Sequence, residues 1–295
     1  MQRSLHSHTV PLWSGAMTTP PPLTDRNALA RHRARAQALP GHGEALFLHR
    51  IARADIEERL DEVNRTFTAP AIVTPFPHVW ADFPGNPRIV PDQEVLALEP
   101  GAHDLVIHAM ALHWANDPVG QLVQCRRALR PDGLCIAVLP GGETLHELRA
   151  SLAEAESLVT GGLSPRVLPM GEIRDLGALM QRAGLALPVA DSVTQTVHYR
   201  ALATLYADMR SMGETNALAG RLRRFTDRRV FAAAEAVYRR AFSTPQGQLR
   251  ATFELVFLTG WAPHESQQQP LRPGSARARL AEALRVPEHR LPKDG

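Results

Sequence analysis

Asp92 and Glu94, then His108, then His113, Trp114, Asn116 and Asp117, then Gly141, Gly142 and Glu143 are the residues whose types and spacing could do chemistry in this chain. Each group follows a short apolar run. An open α/β sheet binds ligands outside the carboxyl ends of such strands. A ligand of the adenosine type needs a carboxylate or amide there for its amino group, and small residues where it lies on backbone. Asp92 could supply the carboxylate, with Glu94 beside it, and His108, Ala109 and Met110 the floor. Each group also has a plainer alternative. Asp92 follows Pro91 as a turn residue would, Asp117 is placed to cap a helix, His113 and Trp114 read as a packed loop anchor, and Gly141-Gly142 can simply release a strand into a helix.

Nucleophilic and metal catalysis find no support in the spacing. Residues 211–216 (SMGETN) and 261–266 (WAPHES) put polar groups at element ends without triad or ligand spacing, and His264-Glu265 alone is too sparse for a metal. Cys125 and Cys135 have apolar neighbours and read as small buried side chains in a reducing compartment.

The elements that must position these groups follow from periodicity. Residues 103–109 form a short apolar run without helical spacing, as in a strand buried on both faces. Asp117 then caps a helix whose apolar positions are Val119, Leu122, Val123 and Leu129; the RPDG run at 130–133 should stop it with a turn, and 134–139 is a second buried strand. Upstream, helices are expected from Asp25 and over 44–63, a strand at 71–76, and a short one at Ile89-Val90. Four prolines close together keep 75–88 out of any helix. Downstream come helices at 143–158 and 171–183, one or two strands over 185–199, helices at 200–212 and 227–242, a strand at 251–261 and a short helix at 275–284. The expected organisation is a disordered tail (1–24), N-terminal helices (25–68), an α/β core (69–199), a helical insertion (200–249), the last core strand (250–262) and a C-terminal tail (263–295).

Bulk properties narrow the class. A hydrophobic share of 44% over 295 residues is ample for a large core. The net charge of +3 is carried by arginine, since Lys293 is the only lysine, and such a bias reads as genome composition rather than nucleic-acid binding. The clusters at 31–35 and 221–229 are the sole basis for an RNA- or membrane-surface binder, and solvated helix faces explain them. There is no apolar run of membrane-spanning length and no signal-peptide core. Met17 is a plausible start, ahead of a proline-rich stretch.

The LHWAND run at 112–117, LRPDG at 129–133 and GGETLHELR at 141–149 together resemble the complex I assembly factor 5 family, within the class I S-adenosylmethionine (SAM) methyltransferases. The match continues at 161–165, 175–177, 182–184, 209–216 (MRSMGETN), 232–238 and 260–266, and covers about 25–275. The resemblance implies a Rossmann-like class I methyltransferase sheet, shortened in its first half and with a helical insertion before its last strand. It implies kinship with the malonyl carrier-protein methyltransferases, SAM as cofactor, and a role in maturing respiratory complex I, where the mitochondrial member is held to hydroxylate an arginine. By residue match Asp92 stands where the family has its adenine-side acid, and His113 to Asp117 beside the substrate mouth, with Gly141, Gly142 and Glu143 as further substrate-side candidates.

One stretch departs from the family. Its members carry a DLGxGxG-type loop after the first strand, then a helix, a second strand and an acid for the ribose. Here no glycine occurs from Ala71 until Gly85, and the segment to Asp104 is short by roughly one helix and one strand, judged by the usual size of such a unit. Proline and tryptophan cannot give the close backbone approach that glycine allows. Two readings stand: a methyltransferase-superfamily enzyme, methylating or hydroxylating a protein, and a non-catalytic assembly factor that has lost SAM binding. In both the partner is a protein, with a complex I subunit indicated, and the place is a bacterial cytoplasm or the inner face of its membrane. No catalytic residue is assigned.

Overall fold

The computed structural model describes residues 21–268. Short apolar runs become the strands of one six-stranded sheet: β1 (Pro70–Val73), β2 (Arg88–Val90), β3 (His103–Ala109), β4 (Leu129–Pro140), β5 (Ala186–Tyr199) and β6 (Leu249–Trp261), in the order β2-β1-β3-β4-β6-β5. The first four are parallel, and β6 runs antiparallel between β4 and β5. The helices are α1 (Arg26–Gln37), α2 (His42–Ala45), α3 (Phe47–Glu62), α4 (Pro118–Ala128), α5 (His146–Thr160), α6 (Ile173–Arg182), α7 (Leu202–Met212) and α8 (Arg228–Phe242).

Strand alternation sorts the core into two layers. Ile72, Ile107, Ile136 and Phe257 face α3, α5 and α8. Val73, Val106, Cys135 and Val256 face α4 and α6. β3 is buried at every position, as expected for a central parallel strand. This is the shortened Rossmann-like methyltransferase sheet. Its shortening lies between β1 and β2, which are adjacent and parallel although no α-helix joins them. Residues 74–87 make the crossover with a single 3₁₀ turn, Pro77–Val79. Phe76 and Trp80 from it are fully buried, and pack with Val79 and Phe83 in the same layer as α3.

One local expectation is corrected. The RPDG segment does not end α4 as a free turn; it lies inside β4, where Leu129 already pairs with His103 and the register shifts before Leu134 pairs with Leu105. Asp132, at φ 61°, makes the bulge, and β6's exit holds it: Asp132 donates to the carbonyl of Ala262, whose own N–H donates to Gly133. Of the one or two strands expected over 185–199 there is one, Ala186–Tyr199, with the irregularity confined to its first residues.

Thr24, the last residue of the expected tail, is buried and bridged to Leu218. The expected helix at 275–284 lies outside the described residues. Among the described residues no helix is long and apolar enough to cross a membrane.

Candidate functional site

The carboxyl ends of β1 to β4 open into two cavities rather than one. β3 decides the split. His108 points to the α4 side, while the next turn, with Met110 at φ 52°, swings to the α3 and α5 side.

The smaller cavity, about 560 Å³, takes in Asp92, Glu94, His108, Asn116 and Asp117. Asp92 is 8% exposed, and both its oxygens accept from Nη1 of Arg33, at 2.9 and 2.8 Å. Arg26 adds Nη1 at 3.3 Å and a second bond to the Asp92 carbonyl. His108 has no exposed surface. Its Nε2 donates to Gln121 at 3.1 Å, and burial lowers its pKa, so its Nδ1 is an acceptor without a partner. Glu94 is exposed, and only its backbone carbonyl is used, by the amides of Gln121 and Gln124. Asp117 caps α4 by accepting from Gly120 at 2.8 Å. Asn116 pins the incoming chain, accepting from the N–H of Thr24 at 2.9 Å and donating to its carbonyl at 3.3 Å.

The larger cavity, about 650 Å³, takes in Met110, His113 and Trp114, joined by His49 of α3 and by Glu214 just beyond α7. Glu214 Oε2 accepts from Trp114 Nε1 at 2.5 Å and from His113 Nε2 at 3.1 Å. Burial works to raise the Glu214 pKa, but His113, Arg33 and the Trp114 N–H bring it down to about 2. Its Oε1 is sealed from solvent and has no partner, as is true of Nδ1 on His113 and on His49. The His49 side chain is fully enclosed, and burial lowers its pKa to about 3, so the ring is neutral. Among the described residues no three His, Cys, Asp or Glu side chains converge as a metal-ligand set.

The remaining sequence candidates sit around these cavities without lining them. Ala109 closes β3 in the core. Gly141 and Gly142 are required small: a Cβ at the first would run into the Glu254 carboxylate and Val256, and at the second would stand 2.7 Å from Glu172 Oε1. Glu143 is exposed, and its N–H donates to Glu254 at 3.0 Å. The one carboxylate of the crossover, Asp82, lies on the surface beside Arg53, away from both cavities. Periodicity alone missed His49 and Glu214, because each reaches the cavity from a distant element; for Glu214 the signal was the MRSMGETN block at 209–216.

The family described as "Methyltransferase domain" matches residues 44–137. The chain is 35% identical over 198 residues to arginine-hydroxylase NDUFAF5, mitochondrial, of Danio rerio, covering 67% of this chain and 61% of that protein. The Homo sapiens protein of the same name is 37% identical over 198 residues, covering 67% and 57%. A malonyl-[acyl-carrier protein] O-methyltransferase of Laribacter hongkongensis is 33% identical over 183 residues, covering 62% and 59%. The chain thus spans less than two thirds of the length of these relatives. Residues 44–137 thus carry a methyltransferase domain, and over 67% of its length the chain is similar to the NDUFAF5 proteins.

Proposed function

We propose that this chain is a protein-binding factor that keeps the methyltransferase fold, works without SAM, and receives an arginine-bearing segment of a respiratory complex I subunit in its larger cavity. The filled crossover carries the first part of that reading. Phe76 and Trp80 have no exposed surface where a cofactor-binding relative needs glycine backbone against the ligand. Asp92 agrees with it, since its two oxygens are already taken by Arg33. The residues present do not fit SAM.

The partner half rests on kinship and on the cavity. Relatives at 35–37% identity carry arginine-hydroxylase in their names, and the family resemblance points to complex I. Such a partner places the work at the inner face of a bacterial cytoplasmic membrane. The second reading is an enzyme that modifies the bound arginine, and the enclosed imidazoles of His49 and His113, each with an Nδ1 that has no partner, favour it.

Calorimetry of the full chain with SAM tests the first part: no saturable heat is expected up to millimolar ligand, and micromolar binding would overturn it. Deletion of the gene is expected to lower assembled complex I, and unchanged assembly would overturn the partner.

A further inference from the structure

Two adjoining loops carry two of the three most exposed large apolar side chains among the described residues. Phe225, between α7 and α8, is 103% exposed, and Leu163, between α5 and α6, is 72% exposed. The loops are bonded to each other: Arg166 Nη1 donates to Thr226 Oγ1 at 2.9 Å, and Asn216 Nδ2 donates to the Pro165 carbonyl at 2.8 Å. Both are pinned at the root. Glu156 accepts from the Ser164 N–H and from Arg166, while Arg221 donates to Asp25 at 2.9 Å and Asp227 caps α8. Fixed backbone thus holds both side chains out in water. A single exposed apolar residue is ordinary, but a pair on adjoining pinned loops marks a contact surface.

The charge around them is one-sided. Residues 221–229 carry five arginines and one acid. They do not form the solvated helix face expected from the sequence, because the Asp227 cap starts α8 only at Arg228. The acids beside these loops are already answered: Asp25 by Arg221 and Arg223, Asp227 by Arg229, Glu156 by Arg166 and Glu235 by Arg239. Arg224 and Arg228 are exposed and, among the described residues, have no carboxylate partner. Arg228 also opens α8, where the helix dipole disfavours a cation and favours an incoming anion.

Apolar tips set among free guanidiniums match the boundary of an anionic bilayer, which offers headgroups to the cations and acyl chains to the tips. A protein partner would need a socket for Phe225, and a bilayer needs none. Nucleic acid fits less well, since bases stack on aromatic faces and Leu163 has none. We infer that Phe225, Leu163, Arg224 and Arg228 form a membrane-docking surface, which seats the chain on an anionic phospholipid bilayer with Phe225 inserted below the headgroups. The larger cavity opens beside it: Arg166, bonded to Thr226, lines that cavity, as do Phe231 and Ala232 at the start of α8. Docking therefore brings the cavity mouth to the membrane. This surface is independent of the protein partner proposed above, which places the chain at a membrane by kinship alone.

Co-sedimentation of the full chain with vesicles tests it. Vesicles of roughly one part phosphatidylglycerol to two of phosphatidylcholine are expected to bind about tenfold or more tighter than phosphatidylcholine alone. Phe225→Ala should weaken binding about tenfold by losing apolar burial. Arg224→Gln with Arg228→Gln should do as much or more, at about fivefold for each arginine. All three side chains are exposed, so urea denaturation should find these variants as stable as the wild type. In Phe225→Trp the added emission should shift to the blue, and brominated acyl chains should quench it, on the anionic vesicles alone. Equal binding to both vesicles, or wild-type binding by Phe225→Ala, means general attraction of a basic protein and overturns the inference, as does unshifted emission from Phe225→Trp. Single-stranded RNA held more tightly than vesicles, with the same loss in Phe225→Ala, assigns the surface to nucleic acid and overturns the membrane. A complex I defect on deletion without vesicle binding overturns this surface alone. Phe225-dependent vesicle binding with normal complex I assembly supports the surface and overturns the assigned partner.

Discussion

The most enclosed carboxylate of each cavity along the carboxyl edge of the sheet, Asp92 in one and Glu214 in the other, is answered differently. Asp92 receives Arg33 on both oxygens and Arg26 on top of that. Glu214 receives two donors on one oxygen and none on the other. In the first both carboxylate oxygens are answered, and a ligand could reach them only by displacing a buried ion pair. The second leaves one buried oxygen without a donor beside the larger cavity. Hydrogen-bond accounting separates the two carboxylates more sharply than cavity size does, since the volumes are about 560 and 650 Å³.

The largest expected effect comes from opening the closed half. Arg33→Met leaves the carboxylate of Asp92 buried and short of its main partner, a loss on the order of 3–5 kcal/mol by urea denaturation. Adding Asp92→Leu should recover much of it, because breaking a buried pair costs more than replacing both members. A single-variant loss under about 1 kcal/mol would mean that Asp92 is not locked, and the contrast between the cavities would fail. Arg33→Met should still gain no affinity for SAM, since Phe76 and Trp80 remain in the crossover.

That pair also marks how far the sequence could be read. β3 and the buried part of β4 were legible as apolar runs, and the caps at Asp25 and Asp117 as residue type before helical spacing. Local signals of this kind are carried within a few residues. The missing strand and helix were visible as a length deficit, but the pairing of β2 directly beside β1 was not, because three residues carry no information about their neighbour. The site was legible as candidates and not as an arrangement. Nothing local separates His108 from Met110 into different cavities except strand alternation followed by a left-handed residue. Glu214 meets His113 and Trp114 across 101 and 100 residues, and Arg33 meets Asp92 across 59. Such contacts exist only once the helices have docked.

The next effect probes the open half through pH. His49 has a folded pKa of about 3 against an ordinary 6.5, because burial disfavours its charged form. The unfolded chain therefore takes a proton that the native state refuses. Stability is full above pH 6.5 and falls as pH drops from there toward 3, by up to about 1.4 kcal/mol per pH unit for this one group. His108, also lowered by burial, adds in the same direction. Glu214 acts in a lower window, with stability lost as pH falls from its ordinary 4.5 toward 2. Denaturation curves at pH 7.5, 6.5 and 5.5 should show the wild type losing stability stepwise and His49→Leu losing less. Parallel losses in both proteins would mean that His49 is protonated in the folded state, and that the cavity wall is wetter than its geometry.

The smallest effect decides what Asp117 is for. It lines the smaller cavity, yet its carboxylate accepts the Gly120 N–H at 2.8 Å, and a Cβ on Gly120 would run into that same carboxylate. Both facts describe a helix cap fitted tightly to a glycine. Asp117→Ala should cost about 1 kcal/mol, and Asp117→Ser should restore most of it, because serine also caps. Thermal or urea denaturation of the two variants checks it. An Asp117→Ser variant no more stable than Asp117→Ala would mean that the carboxylate does more at the smaller cavity than cap α4, and would remove the reason for reading Asp92 as the only charge that shapes that side.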